Sequence, residues 1–536
     1  MMVWGNSMSF AQPWIRFDHP ISIRETIAED RRFVLLVMLA ATVLYFIVSI
    51  GWPIGIGRDG YRYFLYYFDL FLSGNQQQGL WITPPGISII VGLVARGGIV
   101  SIQLFLLTIY LVSILGIYYI GRLFGRNLAR VVTLFALLHF QYTLFCHFLT
   151  SDPVLALFLT IWGVVLVRLH QVRTPTAYAV IGFVSFLPVL IRPMSQLYLF
   201  VFVLPVLCFG FSRRNFLLAG ATLSAFAAGL LLLASYHALV FHDFGLFKGG
   251  KHAIPFRNIY MFSRIIAPEN GPASQRLINL IEEKLLSNPL YRDNGITLEK
   301  FLSTPKPIFF HDIIDNFGNE DFIFDVSMEA IRAQPARFWQ SVYKNIHYQF
   351  SRPFDLPPPP KPATGGQSQP QGDNPDTKNC QYAECAPIPT NVARERRDQA
   401  HSKLSQEDRR HHEEAKQYVD TVDNLFSKEP GNHAVAEFFR SLNYKYPPIR
   451  DFCYAAILLL LGIHRREVRL LWLMIIPHFM ASAISGSMVD PLASYRIPHD
   501  LFFILAGLTG VTLLIDRFMQ LIRHGRARLQ PSVPTG

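Results

Sequence analysis

The chain has 536 residues, of which 51% are hydrophobic and only 16% charged, and its mean hydropathy is +0.26. That balance excludes a chain built only of soluble domains and indicates a polytopic membrane protein. The formal net charge of +11 does not signal nucleic acid, because the arginines stand in short runs between apolar segments, where positive charge sets membrane orientation.

The first 32 residues are polar, carry Arg16, Arg24, Arg31 and Arg32, and show no cleavable signal peptide. A span needs roughly 17 to 25 mostly apolar residues. Ten segments qualify: about 33–53, 99–121, 129–148, 153–169, 176–192, 195–211, 216–241, 450–464, 468–485 and 498–519. Arginines crowd every second connection (Arg122, Arg126 and Arg130; Arg168 and Arg173; Arg213 and Arg214; Arg465, Arg466 and Arg469; Arg517 onward). Ten spans with those connections inside put both termini in the cytoplasm, and the N-terminal arginines agree.

The segments are therefore a cytoplasmic N-terminus (1–32), a transmembrane region (33–241) with a first outer loop (54–98), a large outer region (242–449), C-terminal spans (450–519) and a basic cytoplasmic tail (520–536). In the first loop, stretches near 59–73 and 85–95 are amphipathic or too short to span, and are expected to lie along the interface. Short outer loops fall at 149–152, 192–195 and 486–497. The outer region contains helical segments, a Pro/Gly-rich linker at 353–391, and a charged segment at about 392–428 whose His411 and His412 read as a solvated helix face. The expected fold class is an all-α polytopic membrane protein of about ten transmembrane helices. Interfacial helices lie in its first outer loop, and its large outer domain is α-rich or α+β.

The stretch "GRDGYRY" begins the first outer loop. Helical spacing puts Asp59, Arg62, Tyr66 and Asp69 on one stripe. Asp59 is a good helix cap, since aspartate accepts bonds from the first free amides. A carboxylate at the membrane boundary also suits a general base that removes a proton from an incoming hydroxyl. The two readings are compatible.

"RDGYRYFLYYFDLFLSGN", followed by Pro84-Pro85-Gly86 in "ITPPGISIIVGL", resembles the first outer loop of the GT-C glycosyltransferases that use polyprenyl-phosphate sugars. The resemblance is to the protein O-mannosyltransferase and lipid A aminoarabinose transferase type. It implies a GT-C-like fold and places catalysis on Asp59, with Tyr61 or Tyr63 standing for the tyrosine of the family's Asp-x-x-Tyr. Where that family often has Asp-Glu, this chain has Asp59-Gly60, a departure that bears on acceptor positioning and metal use.

Three further motifs lie on the side of Asp59: Ser151-Asp152-Pro153, Arg192-Pro193 and Tyr495-Arg496-Ile497-Pro498. Read alone, Ser151 or Asp152 caps a helix ahead of Pro153, and Arg192 or Arg496 snorkels to headgroups. A boundary arginine also needs an anion, which the resemblance supplies as the donor's phosphate. Arg58, Arg192, Lys251 and Arg496 are then the expected phosphate ligands, with Lys248 and His252 beside Lys251. Tyr61, Asp69, Asp152 and Tyr495 are expected to position acceptor or substrate.

The implied reaction is inverting transfer of a sugar from a polyprenyl-phosphate carrier to a lipid, glycan or protein acceptor at the outer face, in the bilayer and without nucleic acid. No cofactor is expected; a divalent metal is left open but is not indicated by any motif. His311, Asp312 and Asp315 lack metal-ligand spacing, and Cys380 and Cys385 read equally as a small disulfide or two thiols. The chain has no Asn-x-Ser/Thr sequon, as suits a bacterial inner membrane. The rival readings are a polytopic transporter and a catalytically silent envelope-assembly protein.

Overall fold

The computed structural model describes residues 22–57, 59–73, 83–242, 244–246, 255–293, 295–303, 307–317, 319–351, 406–426, 431–489 and 495–529. Arg58, Lys248, Lys251, His252, the 353–391 linker and its two cysteines lie outside the described residues. What is described is almost wholly helical.

Six helices among the described residues are long and apolar enough to cross a membrane: Arg31–Gly51, Gly98–Phe124, Ser151–Leu169, Arg213–Phe241, Arg466–Ser487 and Ile497–Arg523. The first of them buries Val34, Val37, Ala41, Tyr45 and Val48 at three- and four-residue spacing, while Leu36 and Leu39 on its other face stay about two-thirds exposed. An apolar face turned away from the core is what lipid, not water, accommodates.

The other four of the ten expected spans fall on shorter elements, for local reasons. The 129–148 segment divides into Arg126–Leu137 and Phe140–Phe145. The break is at His139, which leaves helical dihedrals (φ −80°, ψ 78°) and meets Asp500 through Nε2 at 2.9 Å. In Pro175–Phe186 the α-ladder gives way to a 3-10 turn, Leu187–Leu190, that contains Pro188, since proline has no N–H to continue it. Pro193–Val203 is 3-10 throughout and is followed by α-helix Leu204–Phe209. At about 2.0 Å per 3-10 residue against 1.5 Å for α, residues 193–209 reach about 31 Å, close to a hydrocarbon core of ~30 Å. Ile449–Ala456 and the 3-10 stretch Ile457–Gly462 reach about 24 Å on the same arithmetic.

The two ends of the bundle differ in chemistry. At the end where the first span begins, buried Asp30 accepts from the Tyr118 hydroxyl (2.8 Å), from Arg126 (2.7 Å) and twice from Arg130 (2.8 and 2.6 Å), while Glu29 pairs with Arg122. Arginines that the sequence offers only as orientation signals are thus also a knot tying the first span to the turn at 122–130.

At the opposite end, the chain leaves the first span into strand β1 (Gly55–Ile56), which pairs in parallel with β2 (Phe148–Leu149). Beyond β1 come helix Gly60–Phe68 and then helix Pro85–Arg96. The sequence places interfacial helices at these two positions.

The described parts of the large region between the spans pack in different places. Residues 256–342 build a helical core of their own around Phe256, Ile259, Leu277, Ile281, Phe301 and Ile323. Within it Glu329 receives the free amides of Ala273 and Ser274 (3.0 and 2.8 Å), so one helix's carboxylate caps the start of another. Helix His433–Lys445 instead lies against the first span, with Ala436 and Phe439 packed on Val48 and Trp52. Helix Gln406–Asp423, expected to be a solvated face, buries His411, Ala415 and Val422 against the bundle.

Candidate active site at the loop end of the bundle

The short β1–β2 contact determines what meets what. Ile56 pairs with Leu149, so the two chains run side by side into Asp59 and into Ser151-Asp152. Glycine is required here at close range: a Cβ on Gly60 would lie 2.2 Å from the Ile56 Cγ2 and 3.2 Å from the Leu149 carbonyl oxygen. A side chain at position 60 would therefore press on the paired strands, and the Ile56 side chain would have to give way to it.

Asp59 stands at the N-cap of Gly60–Phe68 yet makes no side-chain cap hydrogen bond. Capping alone does not account for it. One turn on, buried Tyr63 lies in the field of Asp59, Arg192 and Tyr495, with Ser151 in hydrogen-bond contact. Burial first, and then the negative charge of Asp59, push its hydroxyl up to about 12, against the opposing pull of Arg192 and Ser151.

Arg192 precedes Pro193, and the ring of a proline forces the residue before it into an extended backbone; here φ is −144° and ψ 129°. Its guanidinium pairs with Asp152, donates from Nε to the Ser151 Oγ at 3.3 Å, and lies over the Tyr495 ring, 5.0 Å from the centroid. Helix Ser151–Leu169 begins one residue before Asp152, with Thr150 at the N-cap and no side-chain cap bond. Neither Ser151 nor Asp152 is the N-cap; both serve Arg192, with Asp152 in the first turn where a negative charge is favoured.

No family model, curated protein or solved structure matches the chain. Geometry alone assembles Asp59, Tyr63, Ser151, Asp152, Arg192 and Tyr495 at one end of the bundle.

Of the other expected residues that are described, Asp69 and Tyr61 lie elsewhere, and Arg496, next to Tyr495 in the chain, is turned into the core. Arg496 is 1% exposed and is committed to Asp500 (Nε to Oδ1, 2.8 Å), the Gln349 carbonyl (2.7 Å) and Gln141 (3.2 Å); it is a core ion pair, not an anion site on the surface. Asp69 and Tyr61 belong to a different contact, with helix Gln406–Asp423. Asp69 pairs with His411 at 2.9 Å, Tyr61 donates to Asp423 at 2.8 Å, and the Tyr418 ring lies 5.5 Å from Phe68 and 6.5 Å from Tyr67. The expected single stripe from Asp59 to Asp69 is therefore divided, because this helix claims its far end. Arg62 is exposed, and Tyr66 is buried 3.4 Å from the Tyr236 hydroxyl.

Sequence reasoning missed a second polar group inside the bundle. The Tyr198 hydroxyl lies 2.9 Å from His478 Nδ1 and 3.3 Å from His499 Nδ1, and the two histidine nitrogens are 2.8 Å apart. Alongside, Asp500 joins Arg496 to His139. The available signal was the presence of ionisable residues within apolar segments, which are costly there and mark function or pairing.

Proposed function

We propose that the chain is an inverting glycosyltransferase of the GT-C type, taking its sugar from a polyprenyl-phosphate carrier. The observation that carries this reading is the pairing of an N-cap carboxylate free of its helix, Asp59, with an oriented guanidinium, Arg192, around the same buried tyrosine. In this mechanism Asp59 accepts the proton of the acceptor hydroxyl as the acceptor oxygen bonds to the anomeric carbon. The bond from that carbon to phosphate breaks on the opposite face, inverting the centre, and polyprenyl phosphate leaves as an anion. Arg192 offers that anion charge and hydrogen bonds, held in place by Asp152, Ser151 and the face of Tyr495. Tyr63, kept protonated, is a donor between the two. Arg58 and Lys251 complete the proposal as further phosphate ligands from the flanking segments. The acceptor is a lipid, glycan or protein.

On the same reading the four short apolar elements complete ten crossings, with the Asp59 end facing outward and both termini in the cytoplasm of a bacterial inner membrane. The test is purified protein in lipid with labelled polyprenyl-phosphate sugars: wild type releases polyprenyl phosphate and Asp59→Asn does not, although it retains the donor. Normal turnover by Asp59→Asn overturns the mechanism. The buried Tyr198–His478–His499 group favours a second reading, a transporter, whose signature would be solute uptake into vesicles that fails on His478→Phe and ignores Asp59→Asn.

A further inference from the structure

Helix Pro335–Ser351 contains no acidic residue and has two unlike faces. One buries Phe338, Val342, Asn345 and Phe350. The other shows Trp339 at 60% and Tyr343 at 67% exposure, followed by exposed Lys344 and His347. Positions 339, 343, 347 and 351 repeat every four residues, so they form one stripe.

That stripe runs onto another. Ser351 Oγ accepts from Arg450 Nη1 at 3.2 Å; Arg450 lies in helix Ile449–Ala456, on which Tyr454 is exposed, and in the 3-10 stretch that follows Ile457 and Leu460 are exposed at that helix's three-residue spacing. The lowest part of this surface, Ile457 and Leu460, is thus aliphatic, as on a membrane-facing helix, and the part above it is aromatic and basic.

Its height is fixed by contacts to the last two spans. Asn345 Nδ2 donates to the Ser487 carbonyl at the end of Arg466–Ser487 (3.4 Å), and the Phe350 ring lies 5.5 Å from Phe479 and 5.6 Å from Phe503, within those spans. At about 1.5 Å per residue, Tyr343, Lys344 and His347 fall within about 3 Å of the Ser487 level along the helix axis and Trp339 about 9 Å beyond it. The polar layer on each side of a bilayer is roughly 5 to 8 Å thick. Aromatic and basic side chains at that level, above an aliphatic stripe, are the composition of a headgroup contact.

We infer that this stripe seats the 256–342 unit on the bilayer and binds anionic phospholipid headgroups, with Lys344 meeting phosphate and Tyr343 and His347 lying in the polar layer. It thereby fixes the height of the unit above the proposed site. It does not depend on the transferase reading.

The test uses the full chain in nanodiscs and reads no turnover. The emission of a tryptophan at position 343, taken as Trp339→Phe with Tyr343→Trp minus Trp339→Phe alone, is expected to be quenched by a spin label near the lipid headgroup and protected from aqueous iodide. Native mass spectrometry is expected to show phosphatidylglycerol retention falling about five-fold in Lys344→Glu, at ~1 kcal/mol per basic group near an anionic surface, with thermal stability unchanged. Quenching by iodide alone would put the stripe in water. Protection from both quenchers would mean a second copy or a protein covers it. Either outcome, or undiminished lipid retention by Lys344→Glu, overturns the inference.

Discussion

Asp59 and Asp152 each stand three residues beyond a paired position, because Ile56 and Leu149 are partners in the parallel β1–β2 contact. Two carboxylates 93 positions apart in sequence are thereby delivered to one end of the bundle in register, one beside Tyr63 and the other against Arg192. On the transferase reading they divide the work. Asp59→Asn should lower kcat by about 10² to 10⁴, the usual range for loss of a general base, with donor binding intact. Arg192→Ala should weaken donor binding as well as turnover. Equilibrium binding of the donor lipid beside single-turnover kinetics separates the two, and identical phenotypes would refute the division.

Gly60 is expected to tolerate no side chain. Gly60→Ala places a methyl 2.2 Å from the Ile56 Cγ2, which must move the helix start that carries Asp59. A displacement near 1 Å costs about 100-fold in rate. The clashing atom is a side chain, so adding Ile56→Ala should restore much of the loss. No rescue in a turnover assay would show that the contact is not the reason.

Arg496 and Asp500 should behave as one structural unit. Arg496→Met leaves Asp500 buried without its cation and should destabilise the fold by about 3–5 kcal/mol. Arg496→Met with Asp500→Asn keeps a group for His139 and should recover most of that in denaturant titrations. Recovery of stability together with donor binding separates this pair from a phosphate site. Loss of donor binding in the stable double variant would return Arg496 to the site.

The contact of helix Gln406–Asp423 should respond to pH. Burial pushes Asp69 up to about 6, His411 opposing, against an ordinary aspartate near ~3.9. A raised value means the docked state holds the proton more tightly, so this group favours docking fully below about pH 4 and loses that contribution as pH rises through about 6. The other titratable or charged groups around the contact are Tyr61, Tyr66, Tyr67, Arg96, Tyr418, Asp420 and Asp423. Protection of the 406–423 amides, taken as exchange corrected for its intrinsic rise with pH, should therefore fall between pH 5 and 7 in wild type, and Asp69→Asn should abolish the step. A step that survives Asp69→Asn would assign it to another group.

Asp30 works in the opposite sense. Its burial favours the neutral form, but hydrogen bonds from Arg130, Arg126 and Tyr118 prevail and hold its carboxyl far below the usual range. Its stabilising contribution is complete above about pH 4 and is lost only in strong acid. Asp30→Asn should lower the melting temperature by the same amount at pH 5 and pH 8. A difference between the two would contradict the arginine pairing.

Composition and hydropathy by themselves determined that this is a helical membrane protein. Apolar content and segment length are local properties, and a run such as 33–53 admits no other stable backbone in lipid. The sequence also singled out Asp59, Asp152, Arg192 and Tyr495, because charged and aromatic groups at the ends of apolar runs are conspicuous. It could not tell which helices would be shortened, since the break at His139 depends on Asp500 on another helix. Nor could it tell Arg192 from Arg496. Both are arginines beside a proline-containing span end, and only packing decides that one lies over a tyrosine ring beside Asp152 while the other is consumed in the core by Asp500 and Gln349. The same holds for Asp69, which helical spacing sets on a stripe with Asp59 but whose partner, His411, comes from a segment more than 300 residues later. Periodicity fixes the face on which a side chain stands. What that face meets is fixed by long-range contacts such as the β1–β2 register, to which spacing along the chain is blind.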